Sequence, residues 1–379
     1  MRRSNREIPE EICLEILIRL PVKSILKCKS VCKSWLSLIS KPNFAKLHLD
    51  IAVQRKNSRS LILRGQNELI YSRVYDESLK STSFSEIEED FVVGIEDYPF
   101  KSSGYKIKLI GSCNGLVCLL FYDDDLVSSM GEENFCVWNP GTKEFKKIHF
   151  QLSNSVNFQV CVYAFSYDAQ NDSYKLLRLA FGGGVNVYTL GSNSWKTIPA
   201  GNYIWLSYGN EVLVNGYLHW LAISGSRMII VSLDISNEEF KEIQLPVELV
   251  ENKRLNIIAD GVLEGCLYLL VKVDEVGVEF WVMQDYGFRE SWTKRYVITN
   301  EIVTNGRCLS ILWNFKNGEI LFMEDGGLIL YDPKHESAIE RKLTSLTGVT
   351  SEKKYFETFV SLNSGTYMGR GQIEESDES

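Results

Sequence analysis

The feature of this sequence that most limits its possible folds is a two-strand pattern that returns about every 50 residues. Each copy reads as a strand, a polar turn containing Gly, Asn, Asp or Pro, and a second strand that carries an apolar or aromatic residue. This is the chemistry of a β-hairpin. The five copies occupy residues 137–148, 187–198, 233–243, 281–294 and 330–343.

A second hairpin precedes most copies of the first. It begins with a glycine that is followed by alternating apolar residues, at Gly115, Gly216, Gly265 and Gly318. In the second unit, residues 163–177 take its place. Two hairpins give four strands per unit, and four strands in about 50 residues is the period of a kelch-type β-propeller blade.

Five blades are visible in the sequence, and a sixth can be assembled from both ends of the chain. Residues 60–64 and 69–75 would supply its early strands, and residues 355–362 its late strands. A blade shared by both ends closes the ring and leaves no open sheet edge. We therefore predict a mostly β chain, with a propeller of about six blades over residues 60–368.

The first part of the chain has a helical pattern instead. Pro9 suits the start of a helix, and Ile8, Ile12, Ile16 and Leu20 follow at intervals of four, which predicts one apolar stripe. Pro21 ends this helix, and two further short apolar faces follow before Pro42. Three short helices cannot bury enough surface to be stable alone. Their apolar faces cover either the rest of this chain or another protein, and the pattern favours neither.

Two strings within these helices, residues 20–24 (LPVKS) and 31–35 (VCKSW), resemble the F-box motif in its plant form. The resemblance covers residues 6–47 and implies docking on the Skp adaptor of a cullin–RING ubiquitin ligase. It gives an F-box at 1–47 and a linker at 48–59, without Gly or Pro and therefore expected to be ordered. The residues implied to bind the adaptor, some of which must instead form the internal core, are Ile8, Pro9, Ile12, Ile16, Leu17, Leu20, Pro21, Val22, Leu26, Val31, Cys32 and Trp35.

The repeat region resembles the plant F-box-associated domain through two further strings, at residues 111–119 (GSCNGLVCL) and 137–148 (VWNPGTKEFKKI). Together the resemblances imply a non-catalytic substrate-recognition subunit of a Skp–cullin–F-box (SCF) ubiquitin ligase. It would bridge the adaptor, and through it the cullin and RING subunits, to a target protein. No motif in the sequence identifies that target. The alternatives are an interaction scaffold that works without a cullin and, less favoured, an enzyme built on a propeller with a helical dimerisation cap.

Charge and composition narrow the location and the partners. The net charge is −8, with a basic segment at 1–56 and an acidic remainder, which argues against a nucleic-acid partner. The sequence contains no run of about 18 apolar residues, the length needed to span a membrane, and no signal peptide is recognisable. We therefore expect a cytoplasmic or nuclear protein whose nine cysteines are reduced, with a disordered acidic tail at 369–379.

Residue patterns typical of catalysis or of cofactor binding are weak. Cys28 and Cys32 lack two further ligands at a zinc spacing, and His219 fits a blade strand better than a catalytic base. The glycines at 182–184 are not followed by the Lys-Ser/Thr of a phosphate-binding loop. We expect no catalytic residue, metal or cofactor. The aromatic cluster of Tyr203, Trp205 and Tyr208 could contact a target, although blade packing is favoured.

Overall fold

Helices occupy the start of the chain and antiparallel strands the rest. The computed structural model describes residues 8–54, 59–64, 70–75, 93–95, 98–99, 105–122, 132–151, 161–180, 184–206, 212–251, 256–273, 276–304, 309–315, 317–324, 327–342 and 351–362. The predicted tail at 369–379 lies outside them. The α-helices within these ranges are α1 (Glu10–Leu17), α2 (Val22–Cys28), α3 (Lys33–Ile39), α4 (Pro42–Gln54), α5 (Val247–Glu251) and α6 (Glu301–Thr304).

Helices α1 to α4 form a helical module with a core of its own. Leu17, Ile25 and Phe44 are fully buried in it, on α1, α2 and α4. The sequence predicted three helices, and the fourth begins at Pro42, where a proline ends α3 and suits the first turn of the next helix. Helix α4 continues to Gln54, so most of the segment interpreted as a linker is helical.

The rest of the described chain forms six antiparallel sheets, which confirms the predicted propeller-type domain and its blade number. Blades 2 and 3 are built from the strands β4 (Lys106–Cys113), β5 (Leu116–Tyr122), β6 (Glu132–Trp138), β7 (Phe145–Gln151), β8 (Cys161–Asp168), β9 (Ser173–Ala180), β10 (Val185–Thr189) and β11 (Ser194–Ile198). Blade 4 contains β12 (Tyr203–Trp205), β13 (Val212–Val214), β14 (Tyr217–Ser224), β15 (Arg227–Asp234) and β16 (Phe240–Ile243). Strands β12 and β13 both pair with β14, so the first strand of blade 4 is divided into two pieces.

Blades 5 and 6 repeat the four-strand order. Their strands are β17 (Asn256–Leu263), β18 (Cys266–Val273), β19 (Gly277–Met283), β20 (Trp292–Ile298), β21 (Ser310–Asn314), β22 (Ile320–Glu324), β23 (Gly327–Asp332) and β24 (Ser337–Lys342). Within blades 2, 3, 5 and 6 each strand pairs with the next strand along the chain.

Blade 1 is assembled from both ends of the chain, as predicted. It contains β1 (Arg59–Arg64), β2 (Ile70–Tyr75), β3 (Val93–Ile95) and β25 (Ser351–Tyr355), and Ser60 is opposite Tyr355 in the β1–β25 ladder. The prediction placed the late strand at 355–362, which is wrong in detail: β25 ends at Tyr355. Residues 356–362 leave the sheet because their carbonyls and side chains are bound by blade 2 and by the helical module.

Apolar layers between neighbouring blades make up most of the propeller core. One layer joins blades 3 and 4 and contains Leu177, Trp205 and Trp220. Equivalent layers join blades 1 and 2, 2 and 3, 4 and 5, and 5 and 6. Each fully buried large side chain contributes roughly 1.5–3 kcal/mol. Trp205 is therefore packing, as favoured from the sequence, and Tyr203 packs against it with ring centroids 5.4 Å apart, whereas Tyr208 lies outside the described residues.

A hydrogen bond recurs between neighbouring blades at the start of the outer strand. Trp195 Nε1 donates to the carbonyl of His149 at 2.8 Å, which ties blade 3 to blade 2. Trp292 Nε1 donates to the carbonyl of Gln244 at 3.1 Å, which ties blade 5 to blade 4 in the same way. In these two repeats the tryptophan of the second strand therefore joins one blade to the next.

A buried ion network joins blades 3 and 4. Lys175 Nζ lies 2.9 Å from Asp168 Oδ2 and 3.1 Å from Glu238 Oε1, and it donates to the carbonyl of Ile235 at 2.6 Å. Burial opposes ionisation of Asp168, but hydrogen bonds from Asn171, Ser236 and Lys175 outweigh it and lower the pKa of this carboxyl to about 2. The network thus holds a charged group in the blade interface with its partners in place.

Candidate functional site

The helical module carries apolar side chains on two faces, although it is small. Pro9 precedes α1, and Glu10 and Glu11 place negative charge at the positive end of its dipole. Glu10 also pairs with Lys41, which ties the start of α1 to the end of α3. These contacts lie at the exposed start of the helix.

One face of α1 is exposed even though it is apolar. Ile8, Ile12 and Ile16 are 60, 52 and 50 % exposed, and the spacing of four residues places them in one row. The inner face carries Leu17 and Ile18, which are buried. The stripe predicted from the sequence therefore exists and points outward rather than into the core.

Three further apolar side chains are exposed on the elements that follow α1. Leu26 lies on α2, Val31 in the turn before α3, and Leu36 on α3, and Val31 is 64 % exposed. We call Ile8, Ile12, Ile16, Leu26, Val31 and Leu36 the apolar surface of the module. Scattered exposed apolar residues are ordinary, but six within 29 residues of three short helices indicate an interaction surface.

The structure separates the residues implied to bind the adaptor. Leu17 and Val22 are 0 and 1 % exposed, so they are among the residues that form the internal core, the alternative that the sequence left open. Leu20 and Trp35 are half-buried and pack against that core. Sequence reasoning placed Leu36 on an apolar face but not among the binding residues. The predicted residues that are exposed are Ile8, Pro9, Ile12, Ile16, Pro21, Leu26, Val31 and Cys32.

Cys32 has a structural role as well. Its Sγ accepts a hydrogen bond from the backbone N–H of Trp35 at 3.5 Å, which caps the first turn of α3. Cys28 lies half-buried against the module core. Among the described residues, no group of three or more His, Cys, Asp or Glu side chains is arranged to hold a metal ion.

Basic side chains accompany the apolar surface. Lys23, Lys27 and Lys33 are exposed on the same helices, and no acidic side chain lies between residues 16 and 49. An apolar centre with a charged rim is the usual composition of a specific protein interface. The charge favours a partner with an acidic surface.

Burial shifts the pKa values of two titratable side chains that pack inside the propeller blades. His219 is buried, with Nδ1 3.0 Å from the Val212 carbonyl and Nε2 2.7 Å from the Tyr286 hydroxyl, and burial lowers its pKa to about 4. Burial raises the pKa of the Cys136 thiol to about 12, so it is not a thiolate at neutral pH. His219 thus lies in a blade strand, as the sequence favoured.

Asp260 on β17 is a buried carboxyl group with an unpaired oxygen among the described residues. Burial raises its pKa to about 7, and its Oδ1 has no hydrogen-bond partner among the described residues. A single carboxyl group without a neighbouring nucleophile or metal ligand does not define a catalytic site.

Within the described part of the chain, no helix is long and apolar enough to cross a membrane.

Comparison with known families decides what the two parts of the chain are. Residues 6–49 match the F-box-like family, and residues 68–364 match the family described as the F-box associated beta propeller domain. This chain belongs to the F-box proteins with an F-box associated β-propeller. The helical module is therefore the F-box, and the six blades form the associated domain.

Two relatives match this chain over most of their length. The chain is 31 % identical over 324 residues to F-box protein CPR1 of Arabidopsis thaliana, which covers 77 % of this chain and 73 % of the relative. It is 29 % identical over 373 residues to an F-box/kelch-repeat protein of the same plant, covering 95 % and 97 %. Among solved structures, a chain of a nidogen/laminin complex covers 80 % of this chain, with 7 % identity and a TM-score of 0.49.

Proposed function

We propose that this protein is the substrate-recognition subunit of an SCF ubiquitin ligase. Its F-box would bind a Skp-type adaptor, its propeller would bind a target protein, and other subunits would transfer ubiquitin to that target for proteasomal degradation. The observation that carries the proposal is the apolar surface, which stays exposed although the core of the module is already filled. Membership of the F-box family supports the Skp-type partner.

The contribution of such a chain is proximity rather than chemistry. Holding a target beside the ubiquitin-transferring subunits converts an encounter between separate molecules into an effectively intramolecular one. This role requires two independent binding surfaces and no catalytic residue of the chain's own. A cytoplasmic or nuclear location, where the ligase would act, is part of the same proposal.

Within the described residues, the hydrogen bonds between the propeller and the C-terminal residues lie on one of its faces. The β4–β5 and β6–β7 turns of blade 2 lie on the face that contacts the C-terminal residues beneath the F-box. In an up-and-down blade the other connections lie on the opposite face. That face carries exposed Val247, Val250, Val276 and Ile302, which belong to connections within or beside blade 5. We propose that the target protein is bound there.

Adaptor capture by purified full-length protein tests the proposal. Ile12→Glu combined with Ile16→Glu places two charges in the apolar surface without touching the buried core. Val53→Glu is the matched control, because Val53 is also an exposed aliphatic residue but lies on α4, outside the apolar surface. Substituting Leu20 would be less informative, since it packs against the core and its carbonyl lies 3.1 Å from His48 Nε2.

We expect the wild type and Val53→Glu to capture adaptor together with cullin, and the Ile12/Ile16 pair to lose both. Buried apolar anchors of this kind are each worth about 2 kcal/mol or more, so the double substitution should weaken binding at least about 100-fold. Capture of adaptor without cullin would instead favour the scaffold alternative. Full capture by the Ile12/Ile16 pair would remove the basis of the proposal.

A further inference from the structure

A short C-terminal segment connects the propeller to the F-box. Residues 356–362, which we call the strap, follow β25 and leave blade 1. Phe359 of the strap is buried in the core of the helical module, beside Leu17, Val22 and Phe44. The edge of its ring meets Phe44 at a centroid distance of 5.8 Å, and Lys29 Nζ lies 4.8 Å from the ring centroid. The F-box core is therefore completed by a residue about 340 positions further along the chain.

One side chain of blade 2 binds the strap on both sides of Phe359. Asn139, buried in the β6–β7 turn, donates from Nδ2 to the carbonyls of Thr358 at 3.2 Å and Val360 at 2.6 Å. Its Oδ1 accepts the backbone N–H groups of Gly141 at 2.9 Å and Thr142 at 3.3 Å. The amide thus shapes its own turn with one atom and binds the strap with the other.

Two further groups of blade 2 bind the strap near its ends. Thr358 Oγ1 donates to the carbonyl of Asn114 at 2.9 Å. Glu144 Oε2 accepts from Ser361 Oγ at 2.8 Å and from the backbone N–H of Leu362 at 2.6 Å. Val360 and Leu362 also enter the apolar layer between blades 2 and 3, against which Leu49 of α4 packs.

The same turn position in other blades shows which part of Asn139 serves the strap. Asp234 in blade 4 accepts from the N–H groups of Ser236 at 2.9 Å and Asn237 at 3.0 Å, as Asn139 does within its own turn. Asp332 in blade 6 accepts from Lys334 at 2.8 Å and His335 at 3.4 Å. A carboxylate therefore suffices to form the turn. Of the two polar atoms of the Asn139 amide, only Nδ2 binds the strap.

We propose that the strap is a coupling element that fixes the orientation of the F-box relative to the propeller. Two domains joined by a single chain segment ordinarily move relative to each other unless an interface holds them. Here Phe359 is part of one domain core, while its neighbours on both sides are hydrogen-bonded to the other domain. This goes beyond the proposed function, because it concerns the geometry of the two domains and holds whatever partners they bind.

The proposal also explains the two strings that resemble the F-box-associated domain. Asn114 lies in the first string and supplies the carbonyl for Thr358, whereas Asn139 and Glu144 lie in the second. All three contact the strap. We infer that these strings form the docking site of the strap and the F-box, and not a surface for the target.

Asn139→Asp tests the proposal with a nearly isosteric change. The turn keeps its acceptor, as Asp234 and Asp332 show, but an oxygen replaces the donor that faces two carbonyls. Asp332→Asn is the matched control, because it makes the reverse exchange at the same turn position of blade 6, where the hydrogen bonds described for this side chain stay within the turn. The readout is the distance distribution between spin labels introduced through unnatural amino acids at the exposed positions Lys23 and Arg227 of the full-length chain.

We expect one narrow distribution for the wild type and for Asp332→Asn, and a broadened one for Asn139→Asp. A distribution for Asn139→Asp as narrow as that of the wild type would overturn the proposal. Should this variant fail to fold, Thr358→Val combined with Glu144→Ala removes the other three hydrogen bonds of the strap and leaves Asn139 and Phe359 in place. Broadening in that variant supports the coupling role, and an unchanged width overturns it.

Discussion

Gly115 offers a sharp test of how closely the strap packs against blade 2. It follows Asn114 in the β4–β5 turn with a φ of +79°, which alanine adopts only with strain. A Cβ added there would lie 2.2 Å from Thr358 Oγ1 and 2.7 Å from Thr358 Cγ2. Gly216 occupies the same position in the β13–β14 turn with a φ of +83°, but an added Cβ would meet nothing within 4 Å.

The two alanine substitutions should therefore differ by the strap contact alone. Gly216→Ala has only the backbone strain, roughly 1–2 kcal/mol. Gly115→Ala has the same strain together with the overlap at Thr358. Relieving that overlap displaces the strap, at about 1–3 kcal/mol for overpacking, and breaks the Thr358–Asn114 hydrogen bond, at about 0.5–1.5 kcal/mol. We expect Gly115→Ala to lower the free energy of unfolding by about 3 kcal/mol more than Gly216→Ala does.

Urea unfolding followed by tryptophan fluorescence measures this difference in the full-length chain. Gly265→Ala, at a φ of +84° and also with open space around it, is a second control that should match Gly216→Ala. Equal losses for all three variants would mean that the strap does not pack against Gly115 in solution, and would refute the reasoning.

Two further predictions concern the propeller alone. Lys175→Met leaves the buried Asp168 carboxylate without its cation and should lower the free energy of unfolding, measured by heat or urea, by about 3–5 kcal/mol. Lys196→Met removes an exposed cation from Glu238, which also pairs with Lys175, and should lower it by at most about 1 kcal/mol. Similar losses for the two variants would count against the network. Because burial holds the pKa of His219 at about 4, below its ordinary value of 6.5, the unfolded chain binds more protons between these values. Stability should therefore be complete above pH 6.5 and fall as the pH drops towards 4, and His219→Gln should flatten that part of the pH profile; an unchanged profile would contradict the assignment.

The periodic parts of the fold could be predicted from the sequence because each blade repeats local rules. The hairpin glycines, the polar turns and the alternating strands are set within about 50 residues, and they gave the six blades and the closure of the ring by both chain ends. The end of β25 at Tyr355 could not be predicted in this way. Residues 356–362 have strand-like composition, but outside the sheet they contact residues far away in sequence, among them Asn139 and Phe44.

The apolar surface of the F-box was predictable in its location but not in its direction. Helical spacing groups Ile12 with Ile16, yet it cannot tell whether that row or the row containing Leu17 faces inward. The answer depends on α4 and on Phe359, which fill the side next to Leu17 and leave the isoleucines exposed. Sequence patterns report periodicity, whereas burial is decided by what packs against each face.

Amide hydrogen exchange with and without purified Skp-type adaptor tests the central claim most directly. Binding at the apolar surface should protect the amides of α1 and of the segment from Leu26 to Leu36, while those of blades 3 to 6 stay unchanged. Slowed exchange confined to the propeller, or no change at saturating adaptor, would contradict the account of the F-box as the adaptor-binding part of this chain.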